Sequence, residues 1–145
     1  KEYQKHLKPT TKMMAMVKAF AYGSGGAEIA GILQYHKIDY LGVAYADEGI
    51  QLRQAGIKLP IMVMNPEEAS FDAMRRYHLE PEIFSLSLLK NYVAFCKNYD
   101  ESFKIHLKLD TGMHRLGIEM PDIQEVIQIL KNNILGSDVK GGSLE

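Results

Sequence analysis

Lys18 is the residue of this chain that is best placed for covalent chemistry. It stands at the end of a strand-like run that starts at Met13, and a Gly-rich turn, residues 19–26, follows it directly. A lysine in that position can form an imine with an aldehyde, and the turn can offer backbone N–H groups to a phosphate. A lysine at a strand end can equally be structural, with its ammonium snorkelling into water. The strand context by itself leaves both interpretations open.

A second group of polar residues lies along the last predicted strand. Lys104, His106, Lys108 and Asp110 alternate with apolar residues, so they share one face of that strand. In a barrel of parallel strands this face points inward, and active sites are built at the carboxyl ends of the strands. Arg115 follows the turn after Asp110 and can fold back over the same end.

Lys18, Lys108 and Arg115 would then lie at one edge of the sheet. Three cations in a semi-enclosed site repel each other unless an anion is present. A phosphate-bearing cofactor is one such anion. Another is a carbamate on Lys108, formed with carbon dioxide, which would give Arg115 a bidentate partner. The alternative is that Lys108 has no chemical role and forms an ion pair with Asp110.

Composition places the chain among ordinary folded domains. It has 145 residues, of which 46% are hydrophobic and 24% charged, with a formal net charge of -1. These values predict one domain with a real core, and the absence of a basic block argues against nucleic acid as a partner. A single cysteine, Cys96, argues against a disulfide framework and favours a reducing compartment. With no signal peptide and no long apolar run, we expect a cytoplasmic protein without membrane contact, and no spacing indicates a metal site.

Short apolar strands alternate with amphipathic helices along the chain. Asp47 and Asn65 are predicted to cap two of the helices. Such alternation is typical of parallel strands with right-handed crossovers, in a TIM-type barrel or an open doubly wound sheet. The predicted strands are 13–19, 40–46, 60–64, 79–84 and 103–109, and the predicted helices are 27–36, 47–56, 65–77, 87–98 and 121–133.

The length of the chain favours part of a barrel. A complete (β/α)8 barrel needs about 250 residues, so we predict an α/β fold with about the first five βα units of a TIM-type barrel. The barrel portion is assigned to residues 1–135, and the Gly-rich tail 136–145 to a flexible segment left by cloning. Two open sheet edges would invite association with the rest of a barrel or with a second copy. The start without methionine indicates a fragment.

Two segments together resemble the alanine racemase family, pyridoxal-phosphate enzymes that interconvert L- and D-alanine. The family's first signature, Val-Lys-Ala-Asn-Ala-Tyr-Gly-His-Gly, is matched by residues 17–25 with Phe20 and Ser24 as departures. The second, Lys-x-Asp-Thr-Gly-Met-x-Arg-Leu-Gly, is matched throughout by residues 108–117. The two departures resemble a Bacteroidetes type in which the domain can be fused behind a cell-wall Mur ligase. The resemblance covers residues 7–133 and implies the N-terminal barrel of the family.

The resemblance also implies roles for individual residues. Lys18 would hold pyridoxal 5'-phosphate covalently and act as acid and base on the D-alanine face. Tyr22 would bond the cofactor phosphate, Lys108 would be the lysine that is often carbamylated, and Arg115 would contact that carbamate, the cofactor and the substrate. The implied product serves peptidoglycan synthesis, and the implied assembly is a homodimer whose partner subunit supplies a second base, a tyrosine.

The chain stops before several parts of the family's site. The sixth strand with its histidine, later phosphate-binding loops and the arginine facing the pyridine nitrogen are not in it. We therefore expect weak cofactor binding and little racemisation by the chain alone. Two other interpretations stay open, namely another pyridoxal-phosphate barrel enzyme of the D-amino-acid aldolase or dehydratase type, and a non-catalytic racemase-like scaffold or half-barrel. The turn at Tyr22 argues against a third type, the decarboxylases.

Overall fold

Five parallel strands form one sheet in the order in which they occur along the chain. The computed structural model describes residues 2–99 and 101–134. Within them, the first and fifth strands are the outer strands and do not pair with each other, so the sheet is not closed. The strands are β1 Met14–Met16, β2 Tyr40–Val43, β3 Ile61–Val63, β4 Glu80–Ile83 and β5 His106–Leu107.

A helix follows each strand, which confirms the predicted α/β fold of about five βα units. In the described part of the chain, no helix is long and apolar enough to cross a membrane. The predicted boundary at residue 135 and the tail 136–145 lie outside the described residues. The helices are α1 Gly26–Tyr35, α2 Ala46–Gln54, α3 Phe71–Arg76, α4 Leu86–Cys96 and α5 Ile123–Ile134, with 3-10 turns at Tyr3–His6, Glu68–Ser70 and Met120–Asp122.

The two faces of the sheet differ in polarity. One face packs under the helices, where Leu41, Ile61, Val63 and Ile83 are fully buried. The other face, which we call the open face, carries polar side chains on its last two strands. Burial alternates along β4, where Ile83 is buried and the adjacent Glu82, on the open face, is only partly buried.

The sheet curls toward its open face. Tyr40 on β2 and His106 on β5 are separated by two strands, or roughly 14 Å in a flat sheet. Their ring centroids nevertheless lie 5.6 Å apart. Both side chains also reach one oxygen of Glu80 on β4, each at 2.8 Å. The open face is therefore the inside of a partial barrel.

Two predicted helix starts differ from the structure. Asn65 does not cap a helix, because its backbone N–H donates to the Ala44 carbonyl at 2.9 Å and its side-chain amide donates to the same oxygen at 3.4 Å. The chain instead forms a 3-10 turn before α3 begins at Phe71. Asp47 lies inside α2, which is capped at Tyr45, where the Glu48 carboxylate accepts the backbone N–H.

Cys96 is expected to be an unreactive thiol. It lies half-buried near the end of α4, and burial raises its pKa to about 12. Only the thiolate is nucleophilic, so alkylation at pH 8 should be roughly a thousandfold slower than for an unperturbed cysteine. The measurement is iodoacetamide labelling followed by mass spectrometry, in native buffer and in urea. Labelling at equal rates in both would contradict this placement.

Candidate active site

Lys18 opens a left-handed helical turn. The four residues that follow, Ala19, Phe20, Ala21 and Tyr22, have φ values of 51°, 55°, 51° and 56°. This conformation costs roughly 1–2 kcal/mol for each L-residue with a side chain. Gly23, with φ at 90°, ends the turn at little cost because it has no Cβ. Concentrated backbone strain of this kind is found mostly at functional sites, where the surrounding structure maintains it.

The turn uses its own backbone N–H groups. Gly23 donates to the carbonyls of Ala19 and Phe20 at 3.3 and 3.1 Å, and Ser24 donates to Ala21 at 3.2 Å. Gly25 donates to Phe20 at 3.1 Å. For Gly23, Ser24 and Gly25 the structure contradicts the expectation that the turn offers N–H groups to a phosphate, because carbonyls of the turn already accept their protons. The first predicted strand, 13–19, was also too long, since β1 ends at Met16 and the turn occupies the positions after Val17.

Glu48 anchors the turn to the rest of the fold. Its Oε1 accepts the Ala19 N–H at 2.7 Å, and its Oε2 accepts the N–H groups of Ala44 at 2.6 Å and Tyr45 at 3.2 Å. One carboxylate thus joins the start of the turn to the end of β2 and the start of α2. In the sequence, Glu48 is only the acidic residue that follows the predicted helix cap Asp47. Its bond to a residue 29 positions away leaves no local signal.

Replacing Glu48 with glutamine should loosen the turn. The amide nitrogen would face N–H donors that now meet a carboxylate oxygen, and hydrogen bonds to charged groups contribute about 1.5–3 kcal/mol each. We expect the free energy of unfolding to fall by about 2 kcal/mol, measured by urea denaturation. Asp47→Asn is the matched control, since this exposed neighbour should change stability by less than about 0.5 kcal/mol. Equal effects of the two substitutions would contradict the anchoring role.

Lys108 has a carboxylate partner that the sequence did not indicate. Its Nζ lies 3.0 Å from Oε2 of Glu82, with the two side chains 26% and 12% exposed. The proposed pairing with Asp110 is not formed. The Asp110 carboxylate instead accepts the backbone N–H groups of Gly112 at 2.9 Å and His114 at 3.1 Å. These two bonds hold the pKa of Asp110 below its usual range. Whether carbon dioxide modifies Lys108 stays a prediction.

A polar cluster made of Tyr40, Glu80 and His106 lies deeper on the open face. Burial alone would raise the pKa of Glu80, but hydrogen bonds from His106 and Tyr40 outweigh it and lower the pKa. Burial, and then the Glu80 carboxylate, raise the pKa of Tyr40 to about 12. The cluster therefore stabilises a partly buried negative charge, with both hydrogen bonds on Oε2 of Glu80 and the Lys104 amine 3.9 Å from Oε1.

The four candidate residues fall into two pairs. Lys18 and Tyr22 share the turn after β1, whereas Lys108 and Arg115 belong to the segment after β5. Both pairs lie at the carboxyl edge of the sheet because the strands are parallel. Across residues 2–99 and 101–134, no hydrogen bond or ion pair joins one pair to the other. Arg115 is exposed.

The loop that carries Arg115 is closed by two backbone bonds. Asp110 donates to the Ile118 carbonyl at 3.0 Å, and Ile118 donates to the Lys108 carbonyl at 2.7 Å. Leu109 and Ile118 thereby form a short parallel bridge. The bridge fixes the two ends of the loop on which Arg115 lies.

Comparison with known proteins decides the family. Residues 1–140 match the family model described as alanine racemase, N-terminal domain. The chain belongs to the alanine racemase family. Its members are pyridoxal-phosphate-dependent isomerases, which confirms the expected enzyme class.

Relatives and solved structures agree with this assignment. Serine/alanine racemase of Enterococcus gallinarum is 39% identical over 129 residues, which are 88% of this chain and 18% of that protein. Alanine racemase 1 of Oceanobacillus iheyensis is 35% identical over 132 residues, 90% of this chain and 34% of the relative. Alanine racemase of Clostridium difficile 630 superposes with a TM-score of 0.83 at 34% identity, covering 88% of this chain and 34% of that one. This alanine racemase domain thus spans about a third or less of the relatives' length.

The residues of this racemase domain fit part of a pyridoxal phosphate site. Lys18 is partly buried and, among the described residues, its amine has no hydrogen-bond or ion-pair partner, so it is available to an aldehyde. Tyr22 is 68% exposed and leaves its hydroxyl available to a phosphate. The engaged N–H groups of the turn mean that other donors must hold most of a phosphate.

Proposed function

We propose that the protein containing this chain is an alanine racemase that interconverts L- and D-alanine, with Lys18 as the lysine that binds pyridoxal 5'-phosphate. The observation that carries the proposal is the left-handed turn. It is a strained backbone fixed by Glu48, and it presents an unpartnered lysine and a tyrosine within one turn. A turn of this cost is expected where the position of a reacting group matters.

Each of the candidate residues would have its own role in binding or proton transfer. Lys18 would bind the cofactor aldehyde through its amine and, once the substrate amine replaces it, move a proton at the α-carbon of alanine. Tyr22 would donate a hydrogen bond to the phosphate, and Arg115 would bind the cofactor and the substrate. When bound, pyridoxal phosphate supplies an electron sink for the charge left at the α-carbon.

The cellular location, the assembly and the use of the product are also part of the proposal. The chain would work in the cytoplasm as part of a homodimer, with D-alanine delivered to peptidoglycan synthesis and a tyrosine of the partner subunit as second base. A fused Mur ligase domain in the parent protein belongs to the same proposal. Because the chain spans about a third of its relatives, we expect it alone to bind the cofactor weakly and to racemise little.

The test is the fate of the α-proton of L-alanine in deuterated water with added pyridoxal phosphate. A racemase in its full-length form should release α-deuterated alanine of both hands, without carbon dioxide or cleavage products. Carbon dioxide would indicate a decarboxylase, and cleavage or loss of ammonia would indicate an aldolase or a dehydratase. A folded full-length protein that leaves the α-proton in place would contradict the proposal and favour a non-catalytic scaffold.

A further inference from the structure

The ion pair between Lys108 and Glu82 has a consequence for the chemistry of Lys108. We propose that Glu82 is the permanent anionic partner of Lys108 and that it keeps this lysine an unmodified ammonium. In this protein the carboxylate of a neighbouring strand then takes the place of a carbamate made with carbon dioxide.

Both side chains are fixed where they meet. Glu82 lies on β4 in register with His106 on β5, and the backbone N–H of Lys108 donates to the Ile83 carbonyl at 2.9 Å. The Nζ–Oε2 distance of 3.0 Å is that of a charge-assisted hydrogen bond. The pair is therefore a product of strand register rather than a chance meeting of two long side chains.

Each member of the pair depends on the other. Glu82 is 12% exposed, and within residues 2–99 and 101–134 Lys108 is its only hydrogen-bond or ion-pair partner. The other carboxylate of β4, Glu80, is already bonded to Tyr40 and His106. Loss of the positive charge on Lys108 would leave the Glu82 carboxylate partly buried and unpaired, which is unfavourable.

Carbamate formation would bring about that loss. The nitrogen must first give up a proton, after which its lone pair forms a bond to the carbon of carbon dioxide. A second proton leaves the nitrogen, and a group of charge +1 becomes one of charge -1. The new carboxylate would then lie beside Glu82, so attraction between unlike charges would become repulsion between like ones.

The sequence motif in which Lys108 lies does not by itself predict that this lysine stays unmodified. Residues 108–117 match the second family signature throughout, and that match implies a modifiable lysine. The decisive residue lies 26 positions earlier, on another strand. The chemical state of Lys108 is therefore set by β4 and not by the segment in which it stands.

The experiment is carbon-13 NMR of the folded chain in buffer containing labelled bicarbonate. Wild-type chain should show no carbamate signal from Lys108, only the background from the N-terminal amine and exposed lysines. Glu82→Gln, which keeps the shape and removes the charge, should show a signal roughly tenfold or more above the wild-type background. The signal should return to the wild-type background when Lys108→Arg is added. Glu67→Gln, at an exposed carboxylate, is the matched control and should behave as wild type.

Either of two results would overturn the proposal. One is a Lys108 carbamate in the wild-type chain, and the other is a folded Glu82→Gln variant that stays as unreactive as wild type. Glu82→Leu is a second charge-free variant should the glutamine form not fold. The readout needs neither cofactor nor alanine, so failure of the racemase proposal and failure of this one are distinguishable.

Discussion

Replacing Lys18 with alanine is expected to abolish α-proton exchange in the full-length enzyme, by roughly a thousandfold or more. The substitution removes both the amine that would bind the cofactor and the base that would move the proton. The fold should survive, because no hydrogen bond or ion pair of the described residues uses the Lys18 side chain. Stability by urea denaturation should change by less than about 0.5 kcal/mol.

Lys58→Ala is the control for this prediction. Lys58 is exposed and lies in the loop before β3, away from the turn that carries Lys18. Its replacement should leave exchange at the wild-type rate. An unchanged exchange rate in Lys18→Ala would place the chemistry on another residue.

Replacing Gly117 with alanine should have the largest effect on stability. Gly117 has φ at 142°, and an added Cβ would lie 2.8 Å from Cα of Asp110 and from the carbonyl carbon of Leu109. Both neighbours are backbone and cannot rotate away. Overpacking and backbone strain together should lower the free energy of unfolding by about 3 kcal/mol. The loop that carries Arg115 would also lose its closing bond between Ile118 and Lys108.

Gly112→Ala separates the effect of backbone strain from the effect of overpacking. Gly112 also has a positive φ, at 124°, but an added Cβ would meet nothing within 4 Å. Strain without a clash should cost about 1 kcal/mol. Urea denaturation of both variants measures the difference, and equal losses would show that the close approach at Gly117 is not what matters.

The alternation of strands and helices was predictable because each element buries an apolar face with its own period. The strands near Tyr40 and Ile61 and the helix after Ser85 lie where the sequence places them. Their ends were less predictable. Asn65 looked like a helix cap, yet the carbonyl of Ala44, just after β2, accepts its hydrogen bonds instead.

The candidate site was only partly visible in the sequence. Lys18 and Lys108 stand out by residue type and position, but their partners come from distant segments. Nothing local indicates that Ala19 to Tyr22 adopt left-handed dihedrals, since no glycine marks those positions. The carboxylates of Glu48 and Glu82 belong to a helix start and a neighbouring strand. These contacts depend on which strands and helices lie side by side in the fold, and no local sequence pattern predicts them.

The position at which pyridoxal phosphate attaches is the most direct test of the role proposed for Lys18. The chain is incubated with the cofactor, reduced with borohydride, digested and mapped by mass spectrometry, with circular dichroism to show that it is folded. We expect a pyridoxyl adduct on the peptide containing Lys18, and none there in the Lys18→Ala variant. An adduct spread over exposed lysines, or no adduct in a folded sample of the full-length protein, would contradict it.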